Sequence, residues 1–112
     1  MKTTADFAAF LALDIRVGAI VSVEPAQTKK PTWRMTIDFG PEIGTRVSCG
    51  AYTNYAAEDL VGKQVVAVIN FGPKKMGPET SDALVLGVQN PDGPGTIPLT
   101  VDRPAPNGGE IF

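Results

Sequence analysis

From Ile15 to Glu24 the chain alternates with a period of two. Ile15, Val17, Ala19, Val21 and Val23 fall on one side, and Arg16, Gly18, Ile20, Ser22 and Glu24 on the other. Successive side chains of a strand point to opposite faces, so this segment predicts a strand with one face turned inward. Gly18 within the run predicts a bulge or sharp bend, a device that lets a strand curl around a small barrel. Pro25 ends the run. The same period returns where Trp33, Met35, Ile37 and Phe39 alternate with Arg34, Thr36 and Asp38.

The remaining elements follow from similar signals. Gly40-Pro41-Glu42-Ile43-Gly44 is turn chemistry, and Thr45 to Cys49 makes a short third strand. Residues 50–62 lose the period, and Ala56 to Leu60 predicts a helical turn. Gln64 to Asn70 is a continuous β-branched run, which reads as a buried strand. Residues 71–80 read as a Gly, Pro and Lys-rich loop, Ser81 to Val88 as a fifth strand, 90–95 as a turn, and Thr96 to Val101 as a short sixth strand. Ahead of them all, Thr3 to Leu13 predicts a helix capped by Thr3, with Phe7, Phe10 and Leu11 on one face. That face needs cover, from a second subunit or from the end of its own barrel. The proline-punctuated tail, 89–112, reads as an extended segment and, with residues 1–13, as a candidate dimer element. Five or six short strands with one helical piece between the third and fourth is the element order of an OB-type barrel. The fold class is therefore all-β, a five-stranded barrel forming one domain over residues 1–112.

Composition removes most chemistry. The chain has no histidine and one cysteine, so it builds no Ser-His-Asp or Cys-His catalytic group, no His-ligated metal site, no CxxC pair and no internal disulfide. Glu58 and Asp59 are neighbours on a helical turn and point about 100° apart, which is not an acid–base pair. Cys49 has no activating histidine and reads as a small buried side chain. A non-catalytic protein without metal or cofactor is expected. No apolar run approaches the ~20 residues of a membrane helix, and Met1 to Asp6 lacks a signal-peptide layout. With an unpaired thiol, the expectation is a cytoplasmic protein with no membrane partner.

Charge gives a local signal. The total is 12 acidic against 10 basic residues. However, Lys29, Lys30 and Arg34 lie in and just after one loop, and Lys74 and Lys75 in another. A barrel that brings those loops to one rim would gather an anion-binding surface there. Trp33, Tyr52, Tyr55 and Phe71 are the aromatic residues able to stack on unpaired bases. Trp33 lies in register with core residues, whereas Tyr52 and Tyr55 lie in an irregular segment and are freer to meet a ligand.

Several strings resemble the tRNA-binding domain family over almost the whole chain. They are Asp14-Ile15-Arg16-Val17-Gly18, Ile37-Asp38-Phe39-Gly40, Leu60-Val61-Gly62-Lys63-Gln64-Val65-Val66-Ala67-Val68-Ile69-Asn70-Phe71, Lys74-Lys75-Met76-Gly77, Ser81 and Leu84-Val85-Leu86-Gly87. The stretch from Lys29 to Gly40 and the tail Pro106-Asn107-Gly108-Gly109 are most similar to the CsaA-type branch. The resemblance implies an OB barrel whose terminal elements join two subunits, and a basic groove that recognises tRNA or other structured RNA mostly by shape. It places Arg46, Ser48, Asn70, Lys74, Lys75, Met76 and Ser81 on the RNA-facing side. In the CsaA-type branch it also implies binding of unfolded or pre-export polypeptides, which is the alternative function. The chain departs from the branch at Ser48-Cys49-Gly50-Ala51-Tyr52-Thr53 and at Gly77-Pro78-Glu79-Thr80. An acidic Glu79 beside Lys74 and Lys75 is expected to blunt phosphate attraction.

Overall fold

The computed structural model describes residues 1–112. The strands are β1 (Ile15–Pro25), β2 (Trp33–Asp38), β3 (Thr45–Gly50), β4 (Gln64–Val68), β5 (Lys74–Met76), β6 (Glu79–Ser81), β7 (Leu84–Val85), β8 (Gly87–Gln89) and β9 (Thr96–Pro98), with helices α1 (Phe7–Leu11) and α2 (Ala57–Leu60). Five of the strands form one antiparallel sheet in the order β3-β2-β1-β4-β7. Its two edges meet: Asp82 and Ala83 donate their N–H groups to the Val47 carbonyl at 2.9 and 3.1 Å, and the Val85 N–H donates to Ser48 Oγ at 3.2 Å. The result is a nearly closed barrel of the OB type. No helix is long and apolar enough to cross a membrane.

β1 does the bending, at a place the alternation did not indicate. Its first half, residues 15–19, pairs with β4, and its second half, 19–25, pairs with β2. The register steps between Ile20 and Ser22, so the bulged residue is Val21, which is 49% exposed, rather than Gly18. Gly18 serves a different purpose. A Cβ there would lie 2.6 Å from Ile37 Cγ2 and 2.7 Å from Phe39 Cδ1, so the absent side chain makes room for two core residues. The bulge also changes which face is inward. Gly18, Ile20 and, beyond the bulge, Val23 meet the barrel core of Met35, Ile37, Phe39, Val65, Ala67, Ile69 and Val85. Ile15 instead joins Val66 and Val68 in a second cluster, beneath Leu13, Leu86 and Ile111. The first half of β1 is thus buried on both faces, which a one-face alternation does not convey.

The Ser81 to Val88 run is not one strand. Ser81 ends β6, whose partner β5 lies in what reads as a loop, so residues 74–81 form a hairpin. β7 closes the barrel, and β8 turns away to pair with β9. Between β3 and β4, α2 supplies Leu60, fully buried, to the core.

The chain ends take opposite courses. α1 begins at Phe7, with Asp6 rather than Thr3 at the cap position and no side-chain cap bond. It has no buried residue: Phe7 is 71% and Leu11 66% exposed, so it does not plug its own barrel. Its root is fixed by Asn70, which donates to the Ala12 carbonyl and accepts from the Asp14 N–H. The tail, by contrast, lies along the edge of β1 that β2 has left. Val17 N–H donates to the Gly109 carbonyl, Gly108 N–H to the Val17 carbonyl, and Ile111 N–H to the Ile15 carbonyl. Arg16 holds the tail from the side, bound to Asp14 at 2.6 Å, to the Gly108 carbonyl at 3.1 Å and to Glu110 at 3.4 Å. Gly108, at φ +91°, passes so near β2 that a Cβ would sit 2.5 Å from the Phe39 carbonyl oxygen.

Candidate nucleic-acid interface

The loop between β1 and β2 is ordered by its own threonines. Ala26 N–H donates to the Thr32 carbonyl, and the hydroxyls of Thr28 and Thr32 both donate to the Lys30 carbonyl. This folds the loop into a compact knuckle with Lys29 and Lys30 exposed on it. The knuckle meets the turn of the β5–β6 hairpin. A cavity of about 810 Å³ between them is lined by Gln27, Thr28, Lys29, Lys30, Thr32, Met76, Gly77 and Pro78. The two lysine-bearing loops therefore do reach one rim.

Lys74 and Lys75 are split by the hairpin. Lys74 pairs with Ser81, Met76 with Glu79, and Lys75 with Thr80, so the lysines point to opposite faces. Lys74 lines a second cavity of about 500 Å³, together with Cys49, Phe71, Met76, Ser81, Asp82 and Leu84 among others; Lys75 lines neither. Met76, half-buried, forms the ridge between the two cavities. Phe71, 63% exposed, gives the second cavity an apolar wall.

Arg34 is not a free cation. Its Nε and Nη2 donate to the two carboxylate oxygens of Glu79 at 2.9 and 3.0 Å, and Nη1 reaches Glu24 at 3.1 Å. Glu79, in turn, accepts from the Gln27 N–H at 2.8 Å. These bonds to the ionised form, Arg34 first and Gln27 next, pull the Glu79 pKa down to about 2. Its charge is matched at the Arg34 fork and its side chain is nearly buried, at 7% exposed. The expected blunting of Lys74 and Lys75 by Glu79 is therefore replaced by a local ion pair. Cys49 Sγ lies 3.9 Å from Glu79; burial, then the nearby carboxylate, pushes its pKa up, away from a reactive thiolate.

Other candidates lie in the barrel wall. Tyr52, read as freer to meet a ligand, is 3% exposed and donates to the Val85 carbonyl at 3.1 Å. Its ring lies against Gly50 and its hydroxyl against Gly87, where a Cβ would come within 2.6 and 2.9 Å of it. Ser48 and Ser81 are also buried: Ser48 accepts the Val85 N–H, and the single Ser81 hydroxyl proton is within reach of the carbonyls of Ala83 at 3.0 Å and Val47 at 3.2 Å. These three side chains close the barrel beneath the surface. Arg46 is half-buried and donates to the Ile69 carbonyl at 3.0 Å. Asn70 is exposed but spends its amide on the root of α1. The cluster that comes together on the surface is thus Lys29, Lys30, Lys74 and Met76, beside Arg46 and Asn70 in structural roles. Phe71, a stacking candidate by residue type, joins it. So does Gln27, which the sequence does not single out: it acts through its backbone, and no local motif marks it.

Residues 15–110 match the family described as "Putative tRNA binding domain". The methionine–tRNA ligase of Thiobacillus denitrificans is 36% identical over 108 residues, 91% of this chain and 16% of that protein. That of Porphyromonas gingivalis is 39% identical over 87 residues, 78% of this chain and 13% of that protein. The chain thus spans about one sixth or less of the length of these curated relatives. Among solved structures, the chaperone CsaA of Bacillus anthracis is 38% identical with a TM-score of 0.90, covering 98% of this chain and 100% of that one. The CsaA chaperone protein of Picrophilus torridus is 35% identical with a TM-score of 0.91, covering 97% and 100%.

Proposed function

The chain belongs to the tRNA-binding domain family, and on that premise we propose that it binds tRNA or other structured RNA, without catalysis, as a homodimer. The observation that carries this reading is the meeting of the knuckle and the hairpin turn, which sets Lys29 and Lys30 around one cavity. Ammonium groups on an ordered rim neutralise phosphates at spacings set by the protein, so a folded RNA backbone fits where an arbitrary strand does not. Lys74 extends the track into the neighbouring cavity, where Met76 and Phe71 offer apolar contact to a base or sugar.

One subunit offers few such contacts, and two linked clefts multiply them. The exposed Phe7, Phe10 and Leu11 supply a face for the second subunit. Light scattering should give twice 11.8 kDa; a mass of 11.8 kDa refutes the dimer. Filter binding of bulk tRNA over a salt series tests the function. With about three lysines per subunit engaged, log K should fall against log salt with a slope of about −3 per subunit. No salt-dependent retention at low ionic strength sinks the reading. The cytoplasm is the proposed setting.

A second reading, capture of unfolded polypeptide, is favoured by the apolar wall of Val68, Phe71, Met76, Ala83 and Leu84 in the smaller cavity. It expects stoichiometric suppression of client aggregation that survives Lys29→Glu with Lys30→Glu. An unchanged aggregation curve with the unaltered protein disposes of it.

A further inference from the structure

The knuckle carries Lys29 and Lys30, yet its polar link to the hairpin is a single side chain. Glu79, at the start of β6, accepts the Gln27 N–H at 2.8 Å while Arg34 grips both its carboxylate oxygens. Arg34 stands on β2, a strand of the barrel wall, and so anchors the carboxylate to the rigid part of the molecule. Inside the knuckle, every other hydrogen bond is internal: Ala26 to Thr32, and the two threonine hydroxyls to Lys30. The knuckle is therefore a preformed unit, rooted in the β1–β2 ladder and joined to the hairpin by one docking bond.

We propose that Glu79 is a positioning residue for RNA: gripped by Arg34, it docks the 26–32 knuckle onto the hairpin and holds Lys29 and Lys30 over the cavity beside the hairpin turn. This rests on the RNA-binding reading above. It has a consequence that charge counting reverses. Removing the Glu79 charge leaves Arg34 paired with Glu24 alone and makes the rim one unit more positive, which by electrostatics alone tightens RNA binding. If Glu79 positions the lysines, the same change weakens binding.

The experiment compares the unaltered protein with Glu79→Gln and Glu79→Asp, using bulk tRNA over a salt series. Glu79→Asp keeps the charge and the Arg34 pairing but withdraws the carboxylate by one methylene, and it serves if Glu79→Gln does not fold. Both variants should lose about one phosphate contact, which is about eightfold in affinity at 0.1 M salt and a slope shallower by about 0.9. Hydrogen exchange at Gln27 and across 26–32 should accelerate in both, ahead of the barrel strands. Tighter binding with a steeper slope in Glu79→Gln overturns the proposal, as does a lowered Tm with unchanged binding. If the unaltered protein retains no tRNA, the RNA reading itself fails. Docking is then judged by exchange alone, and unaltered exchange at Gln27 overturns it.

Discussion

Tyr52 separates a binding role from a packing role in one substitution. Tyr52→Phe removes a hydroxyl that donates to the Val85 carbonyl at 3.1 Å, inside a wall where the residue is 3% exposed. The ring remains, so its packing against Gly50 is kept. The loss is one net hydrogen bond plus a carbonyl deprived of a partner, about 1–2 kcal/mol. In urea this lowers the midpoint by about 1 M, given the slope usual for a small domain. Trp33 fluorescence reads the transition, since its indole N–H donates to the Tyr55 carbonyl beside the site. The pH dependence is a second readout. Burial raises the Tyr52 pKa to about 12, above its ordinary value of 10.0. Its contribution is thus fully present below pH 10 and lost as pH rises towards 12, because the unfolded chain ionises first. The stability gap between the parent protein and Tyr52→Phe should narrow over that range. Binding of tRNA by folded protein should not change. Weakened binding with an unaltered urea midpoint would refute the burial argument and return Tyr52 to the surface.

Three further outcomes follow from the same geometry. Gly18→Ala drives a methyl into Ile37 and Phe39, and overpacking of this kind should lower Tm by about 5–10 °C; a Tm equal to the parent's counts against the close approach. Glu79 has a depressed pKa, so its contribution is present above pH 4.5 and fades as pH falls towards 2. Urea midpoints should therefore drop over that window in the parent more than in Glu79→Gln, and parallel acid profiles contradict the Arg34 grip. Gly108→Ala meets both a left-handed backbone and the Phe39 carbonyl, and should accelerate amide exchange at Val17 and Ile111 before the rest of the sheet; uniform exchange would show that the tail is not docked there.

The barrel was legible because its strands are local patterns. The alternation in Trp33 to Phe39 and the apolar run from Gln64 need no partner to be recognised. What failed was whatever depends on a second segment. The burial of both faces of early β1 could not be read, because a tail 92 residues away covers the edge of one and Val21 bulges. The β5–β6 hairpin was hidden by its three-residue strands, too short to show a period. Tyr52 looked free because its acceptor, Val85, lies 33 residues on. The lysine loops were found by composition. The ion pair that sets one of them, Arg34 with Glu79, spans 45 residues and carries no local signal.

The tail along β1 has a consequence for synthesis and for truncation. Until Gly108 to Ile111 are made, Ile15 and Val17 present unpaired backbone groups on an otherwise complete barrel. Such an edge is a template for another chain's strand, and contacts so distant in sequence form late. A chain cut short before Gly108 would thus keep most of its core and yet carry an adhesive seam, aggregating while still folded. Residues 108–111 act less as an appendage than as the seal over the stretch of β1 that β2 has left.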